Sequence, residues 1–327
     1  MFKNFVPVLL VFLSVGTASH TAPPQGAKVV ALSGGQYKSL QAAIDSISKT
    51  SMATTTIFIQ PGTYTGQTNI TSGYKGRIII QGYTQNEQSY LDNEVILTNN
   101  LSSTLAGGNV QSSTLRIQSP NVAVYNLRVE NTAGAGSPAH ALTVSASHVG
   151  FYGCAFKGYQ DTVYGQYTDT LMKSSYVEGA TDFIYGGRNC TFWLENCDIA
   201  FNRDTGGYIT ASGRESDDDA WYVINGSQVF AKPGISVKAG SVYLGRPWRA
   251  YARVVYQNTN LSNIISPQGW NPWDKSDDLS HIYYAEYLNA GSGANISQRV
   301  PWSHQLSSPI SMDTAMPGWE AWVDQSY

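Results

Sequence analysis

GYQDTVYGQYTDTLMKSSYVEGATDFIYG, residues 158–186, begins and ends on variants of one octet. Laid over each other, GYQDTVYG (158–165) and GATDFIYG (179–186) share Gly158/Gly179, Asp161/Asp182, Tyr164/Tyr185 and Gly165/Gly186, at a constant offset of 21 residues. The flanking sequence has the same rhythm. AVYNLRVEN (123–131), GFYGCAFKG (150–158), LMKSSYVEG (171–179) and FWLENCDIA (192–200) can be written under one another so that Leu127, Cys154, Ser175 and Cys197 stack. Each follows a turn-prone or small residue: Asn126, Gly153, Ser174 and Asn196. The spacings of 27, 21 and 22 residues suit a solenoid with one set of strands per coil, since each repeat buries its apolar face only against its neighbours. Weaker copies continue at YVINGSQVF (222–230) and VVYQNTNLS (254–262). The pattern therefore predicts an all-β chain wound as a parallel β-helix. A sandwich or propeller is the competing architecture, but strong two-residue hairpin signals are rare here.

One amphipathic helix is expected over YKSLQAAIDSISK, 37–49, where Leu40, Ala43, Ile44 and Ile47 share a face. It would cover the open end of the coil stack, whose strand edges otherwise invite aggregation. Ahead of it, Lys3, the apolar run Phe5–Val15 and the small residues Gly16, Thr17 and Ala18 read as a signal peptide over 1–18. Residues 19–327 are then expected to form one exported, extracellular domain.

A formal charge of −3, with no basic stripe, argues against nucleic acid or an anionic membrane as partner. A monomer acting on a neutral or mildly charged partner is expected. Three cysteines, Cys154, Cys190 and Cys197, cannot all pair, and Cys154 and Cys197 stand two coils apart, about 9–10 Å, too far for a disulfide. Asn-x-Ser/Thr sequons begin at Asn69, Asn100, Asn189, Asn225, Asn260 and Asn295, which fits a secretory route.

If a coil is 21 residues long at the octets, Asp161 and Asp182 stand on adjacent coils with backbones about 4.8 Å apart. Two carboxylates that close do not both ionise easily, so one pKa rises while a cationic neighbour keeps the other low. Such a pair can supply a proton donor and an ionised nucleophile or base. By spacing alone it can equally be a structural ladder or a calcium site. Gln160 adds an amide donor beside the first acid, Tyr159 and Phe183 are aromatic neighbours, and VYLGRPWRAY (242–251) places Arg246 and Trp248 two residues apart, hence on one strand face. An arginine can clamp an ionised carboxylate with two parallel bonds, and an indole can stack on a sugar ring.

Gln160-Asp161-Thr162, Asp182-Phe183-Ile184-Tyr185-Gly186 and Leu244-Gly245-Arg246-Pro247-Trp248, in that order, resemble the signature segments of the pectin methylesterases. GYITASGR (207–214), GWNPW (269–273) and GTY (62–64) add to the resemblance, which spans nearly the whole chain and is similar to the fungal members in particular. It implies a right-handed, single-stranded parallel β-helix of the pectin lyase-like kind, and hydrolysis of homogalacturonan methyl esters to carboxylate and methanol without a cofactor or metal. By position Asp182 would be the nucleophile, Asp161 the acid and then the base, Arg246 the partner holding Asp182 ionised, and Gln160 the oxyanion donor. Trp248, Trp270, Tyr159 and Phe183 would contact the polysaccharide.

Two positions depart from the family pattern. Where a second glutamine is usual, PAHAL (138–142) has Pro138, which has no side-chain donor, leaving His140 as a conceivable substitute. Gly66 stands where a glutamate commonly follows the early tyrosine. Other chemistries find less support: there is no G-x-S-x-G, His20, His140, His148, His281 and His304 are scattered, and no His/Cys cluster has zinc-ligand spacing. GAGSPA (134–139) lacks the βαβ context of a dinucleotide site, and Asp217–Asp219 reads as a solvated loop. The remaining rivals are a β-helical polygalacturonase or lyase, and an inactive wall-binding protein.

Overall fold

A computed structural model of the chain describes residues 20–276 and 278–327; the expected leader, 1–18, lies outside them. Among the described residues the strands form three parallel sheets of 11, 8 and 7 strands, which the chain visits in rotation. One coil runs Val149–Tyr152, Ala155–Lys157, Val163–Gly165, and the next runs Thr168–Lys173, Tyr176–Gly179, Thr181–Gly186. This is the right-handed parallel β-helix that the repeat and the resemblance led us to expect. Val122 pairs with Val149, Val149 with Thr170 and Thr168 with Cys190, which reproduces the spacings of 27, 21 and 22. In the octets Val163 pairs with Ile184 and Tyr164 with Tyr185. The weaker copies hold the same register, Phe192 with Tyr222 and Tyr222 with Val254.

In six successive coils the turn between the first and second strand forms a stack of left-handed residues. Asn126, Gly153, Ser174, Asn196, Gly226 and Asn258 have φ of 54°, 55°, 48°, 52°, 59° and 51°. That conformation costs most L-residues about 1–2 kcal/mol, and asparagine tolerates it by bonding locally. Asn126 is also held from a distant segment, its Nδ2 donating to the carbonyls of Glu87 and Ser89 at 3.0 and 3.3 Å. Gly153 meets a second demand, because a Cβ there would collide with the hydroxyl of Tyr327. The residue after each turn, Leu127, Cys154, Ser175, Cys197, Ser227 or Thr259, is buried. Cys154 and Cys197 thus flank Ser175, all three cysteines are free, and burial pushes the Cys154 and Cys197 thiols up to about 12.

Inside the coil, ladders of like residues fill the core. Ile57, Ile80, Val124, Phe151, Met172, Leu194, Ile224 and Tyr256 pair in succession and are all buried. Each such side chain contributes about 1.5–3 kcal/mol on leaving water. At the N-terminal end the helix spans Leu40–Asp45, capped by Ser39, and seats Leu40, Ala43 and Ile44 in the same core. It is shorter than the expected 37–49 because the Ser46 hydroxyl and amide both turn back to the Ala43 carbonyl, a local bond that competes with helical continuation. Residues 310–327 were not foreseen as an element. Their helix Met312–Ala315 and the side chains of Met316 and Trp322 cover the apolar outer stripe of the largest sheet, over Tyr125, Tyr152 and Trp193.

Candidate active site

The 7-stranded sheet carries the signature segments on consecutive strands: Val163–Gly165, Thr181–Gly186, Gly207–Ser212 and Val242–Pro247. Asp161 and Asp182 both have left-handed backbones, with φ of 63° and 49°. Without a glycine or asparagine this costs of order 1–3 kcal/mol, a strain that persists where the surroundings over-determine it. For Asp182 the surroundings include a break in register. Thr181 pairs with Tyr208 but Ile184 with Thr210, so one strand takes three steps while its neighbour takes two. Such a bulge re-aims side chains. Here Phe183 turns wholly into the core while Asp182 meets Arg246.

Arg246 donates from Nε to Asp182 Oδ1 at 3.0 Å and from Nη2 to Oδ2 at 2.6 Å. Its guanidinium lies between the rings of Tyr208 and Trp273, 4.0 Å from each centroid. Burial raises the Asp182 pKa above the ordinary carboxylate value, against the bonds and charge of Arg246 and the charge of Arg203. Asp161 has no such clamp. Burial first, and then the charge of Asp182, push it up to about 7. The two acids are thereby separated in role: Asp182 has the arginine that favours its carboxylate, whereas Asp161 keeps its proton to higher pH than an ordinary carboxyl. Gln160, bridged to Thr181, places its amide on the Asp161 carboxyl.

Trp248 is half-buried, with its ring over Gly213 and 5.9 Å from that of Tyr185. Together with Trp273 it lines a cleft of about 310 Å³. Tyr159, half-buried next to Gln160, borders a separate cleft of about 270 Å³ that Arg128, Lys157 and Lys232 also line.

Two expected polysaccharide contacts are corrected. Phe183 is fully buried by the bulge, and Trp270 is fully buried too, bridged to Gly245 and packed 4.5 Å from the Tyr284 ring. A backbone bridge to Gly245 brings Trp270 into the coil, where its indole packs inside, and the Asn271-Pro272 step then brings Trp273 out onto Arg246. Tyr185, Tyr208 and Trp273 are the site residues that the sequence reading missed, although all three lie within the motifs quoted for the resemblance. His140 is corrected as a stand-in oxyanion donor: it is fully buried, Nε2 lies 2.6 Å from the Tyr185 hydroxyl and Nδ1 2.8 Å from Thr143 Oγ1. Burial lowers its pKa to about 3, so the ring is neutral. Pro138 lies in the coil beside Gln160: its carbonyl accepts from Ser103 N at 2.7 Å, and Ala139 N donates to the Gln160 carbonyl at 3.1 Å.

The acidic run at 217–219 is tied to arginine, Arg214 taking Asp217 at 2.7 Å and Asp218 at 2.8 Å. Among the described residues no group of three or more His, Cys, Asp or Glu is placed to hold a metal ion, and no helix is long and apolar enough to cross a membrane.

A family model for pectinesterases matches residues 27–316. The chain is 41% identical to a probable pectinesterase A of Neosartorya fischeri, over 95% of this chain and 92% of that one. It is 40% identical to a pectinesterase of Aspergillus aculeatus over the full length of both. Its fold is similar to the crystal structure of pectin methylesterase from Aspergillus niger, with a TM-score of 0.89, 38% identity, and coverage of 95% of this chain and 100% of that one.

Proposed function

The chain belongs to the pectinesterase family and removes methyl esters from pectin, and we propose that Asp182 and Asp161 divide that chemistry between them as nucleophile and acid. The observation that carries the assignment is the asymmetry of the pair: Asp182 in the Arg246 fork, Asp161 unclamped with its pKa pushed up to about 7. An ionised Asp182 oxygen attacks the ester carbonyl carbon, and the carbonyl oxygen becomes an oxyanion that the Gln160 amide can bond. Asp161 gives its proton to the departing methoxide, releasing methanol and leaving an acyl group on Asp182. Asp161, now a carboxylate, takes a proton from water as the hydroxide adds to the acyl carbon. Asp182 then leaves as the carboxylate that Arg246 receives, and Asp161 is again protonated.

The cleft lined by Trp248 and Trp273 is where we place the galacturonan chain, since an accessible indole offers a flat apolar face to a sugar ring. The expected leader and the exposed sequons at Asn100, Asn189, Asn260 and Asn295 support an extracellular enzyme, which we take to act as a monomer. The test is methanol release from highly esterified pectin by the parent, Asp182→Asn and Asp161→Asn, with circular dichroism as the control for folding. Each variant should lose turnover. More than about a tenth of the parent kcat in either, a barrier change below about 1.4 kcal/mol, would remove that residue from the mechanism. New unsaturated or reducing ends instead of methanol would indicate a lyase or a glycosidase.

A further inference from the structure

The outward row of the 7-stranded sheet holds a second arginine that the reaction as written does not use. Register carries the row from strand to strand: Arg116 pairs with Thr143, Thr143 with Tyr164, Tyr164 with Tyr185, Tyr185 with Ala211 and Ala211 with Arg246. Arg116 and Arg246 therefore project from one face, five strands apart. Arg246 has its carboxylate in Asp182. Arg116 has none. Its Nε donates to Asn69 Oδ1 at 3.1 Å, and among the described residues its two terminal nitrogens meet no acceptor and no acid pairs with it.

A cleft of about 270 Å³ opens at this guanidinium, and among the described residues Arg116 is the one charged member of its lining. Leu101, Ala106 and Val110 give the cleft an apolar wall. Side-chain amides fasten that wall to the coil: Gln67 Nε2 donates to the carbonyls of Gln111 and Ser113 at 2.6 and 2.9 Å, and Asn131 Nδ2 to those of Leu101 and Ser112, both at 2.9 Å. Gly66, which stands where a glutamate is common in the family pattern, directly precedes Gln67, so the chain brings no acid from that side. Ser113 fixes where the cleft lies. Leu115 pairs with Leu142 and Leu142 with Val163, so Ser113 and Asp161 occupy corresponding positions two coils apart, about 9–10 Å along the stack. Trp248 and Trp273 lie past the opposite edge of the acid pair, beside the strand of Arg246.

An unpaired planar cation beside an apolar wall fits a sugar ring that carries a carboxylate. The guanidinium can bond both carboxylate oxygens at once, while the wall covers the C–H face of the ring. A methyl ester offers the same nitrogens no charge.

We propose that Arg116 and its cleft form a subsite for a free galacturonate carboxylate, which favours polymer in which the ester at the acid pair is accompanied by an acid already exposed along the chain. The choice of ligand rests on the placement of galacturonan across the acid pair. Since the free carboxylate is also the product of the reaction, each turnover makes more of the group that Arg116 holds, and the polymer binds more tightly as its esters are removed.

The test combines initial rates of methanol release from fully esterified and partly de-esterified pectin with calorimetric binding of unesterified hexagalacturonate, for the parent, Arg116→Gln and Arg116→Lys. Loss of a charge-assisted pair is worth about tenfold or more. Arg116→Gln should therefore raise KM for the partly de-esterified polymer about tenfold more than for the fully esterified one, and weaken hexagalacturonate by a similar factor. Arg116→Lys keeps the charge but not the fork, and should fall between. Gln111→Glu leaves Arg116 in place and adds a carboxylate to the lining, so it too should weaken hexagalacturonate. Added salt should weaken binding to the parent more than binding to Arg116→Gln. Equal rises in KM on the two polymers, or an unchanged hexagalacturonate affinity in Arg116→Gln, would overturn the subsite. So would a glycan on Asn69, which begins a sequon and lines the same cleft; peptide mapping of the secreted protein should find it unmodified. Hexagalacturonate binding needs no turnover, so a dispensable Asp161 or Asp182 would remove the catalytic reading while the titration still judged Arg116.

Discussion

Replacing Arg246 with lysine keeps a cation beside Asp182 but removes the fork. In the structure Asp182 receives one bond at 3.0 Å and one at 2.6 Å, and the guanidinium is held flat between Tyr208 and Trp273. An ammonium can bond one oxygen strongly and cannot fill that aromatic slot. Loss of one charge-assisted bond is worth about 1.5–3 kcal/mol. If it is felt in the transition state, kcat falls roughly 10- to 150-fold. Alanine goes further, because it leaves a buried carboxylate without a partner, a change of about 3–5 kcal/mol. The pH profile should record it. Asp182 works ionised, so activity fails as pH drops through its pKa, and Arg246 is the largest influence opposing burial there. Without it that pKa climbs further, and the window in which one acid is ionised and the other protonated narrows. The assay is methanol release across the pH range for parent, Arg246→Lys and Arg246→Ala. Arg246→Lys within threefold of the parent, together with an unmoved acid limb in Arg246→Ala, would refute the view that the fork sets the state of the nucleophile.

With Pro138 in place of a second amide, Gln160→Ala should reduce kcat by about 10²–10³ or more, and Pro138→Gln should raise it; a Gln160→Ala loss under about tenfold would mean that other groups hold the oxyanion. Trp248→Ala removes one indole face from the cleft, so KM for pectin should rise while kcat changes little. If KM is unchanged, Trp248 does not contact the polymer. Asp161 keeps in the folded state a proton that the unfolded chain releases between about pH 4 and 7, so its burial makes stability fall as pH rises through that range. Asp161→Asn should therefore melt at a higher temperature than the parent at pH 8, with no difference near pH 4. Equal melting temperatures at pH 8 would contradict the raised pKa.

The coil architecture was legible because a solenoid repeats its environment. Each turn between the first two strands needs a left-handed residue followed by a buried one, so asparagine, glycine and serine recur ahead of Leu127, Cys154, Ser175 and Cys197, at spacings the backbone obeys to the residue. The acids were legible for the same reason: an offset of one coil puts Asp161 over Asp182. What the sequence could not decide is where the regular pattern breaks. Strand alternation alone does not reveal that a bulge after Thr181 sends Phe183 inward, or that the bridge to Gly245 buries Trp270 and delivers Trp273 to Arg246. Nor does local sequence place residues 310–327 on the outer stripe of the largest sheet, since that contact joins segments far apart in the chain. His140 shows the limit most clearly. As one scattered histidine it carries no local signal, and only tertiary packing brings its Nε2 to Tyr185 and its Nδ1 to Thr143. Periodicity is written into every coil and survives in one dimension, whereas the partners of a buried polar group depend on which groups, from distant coils, are sealed from water together.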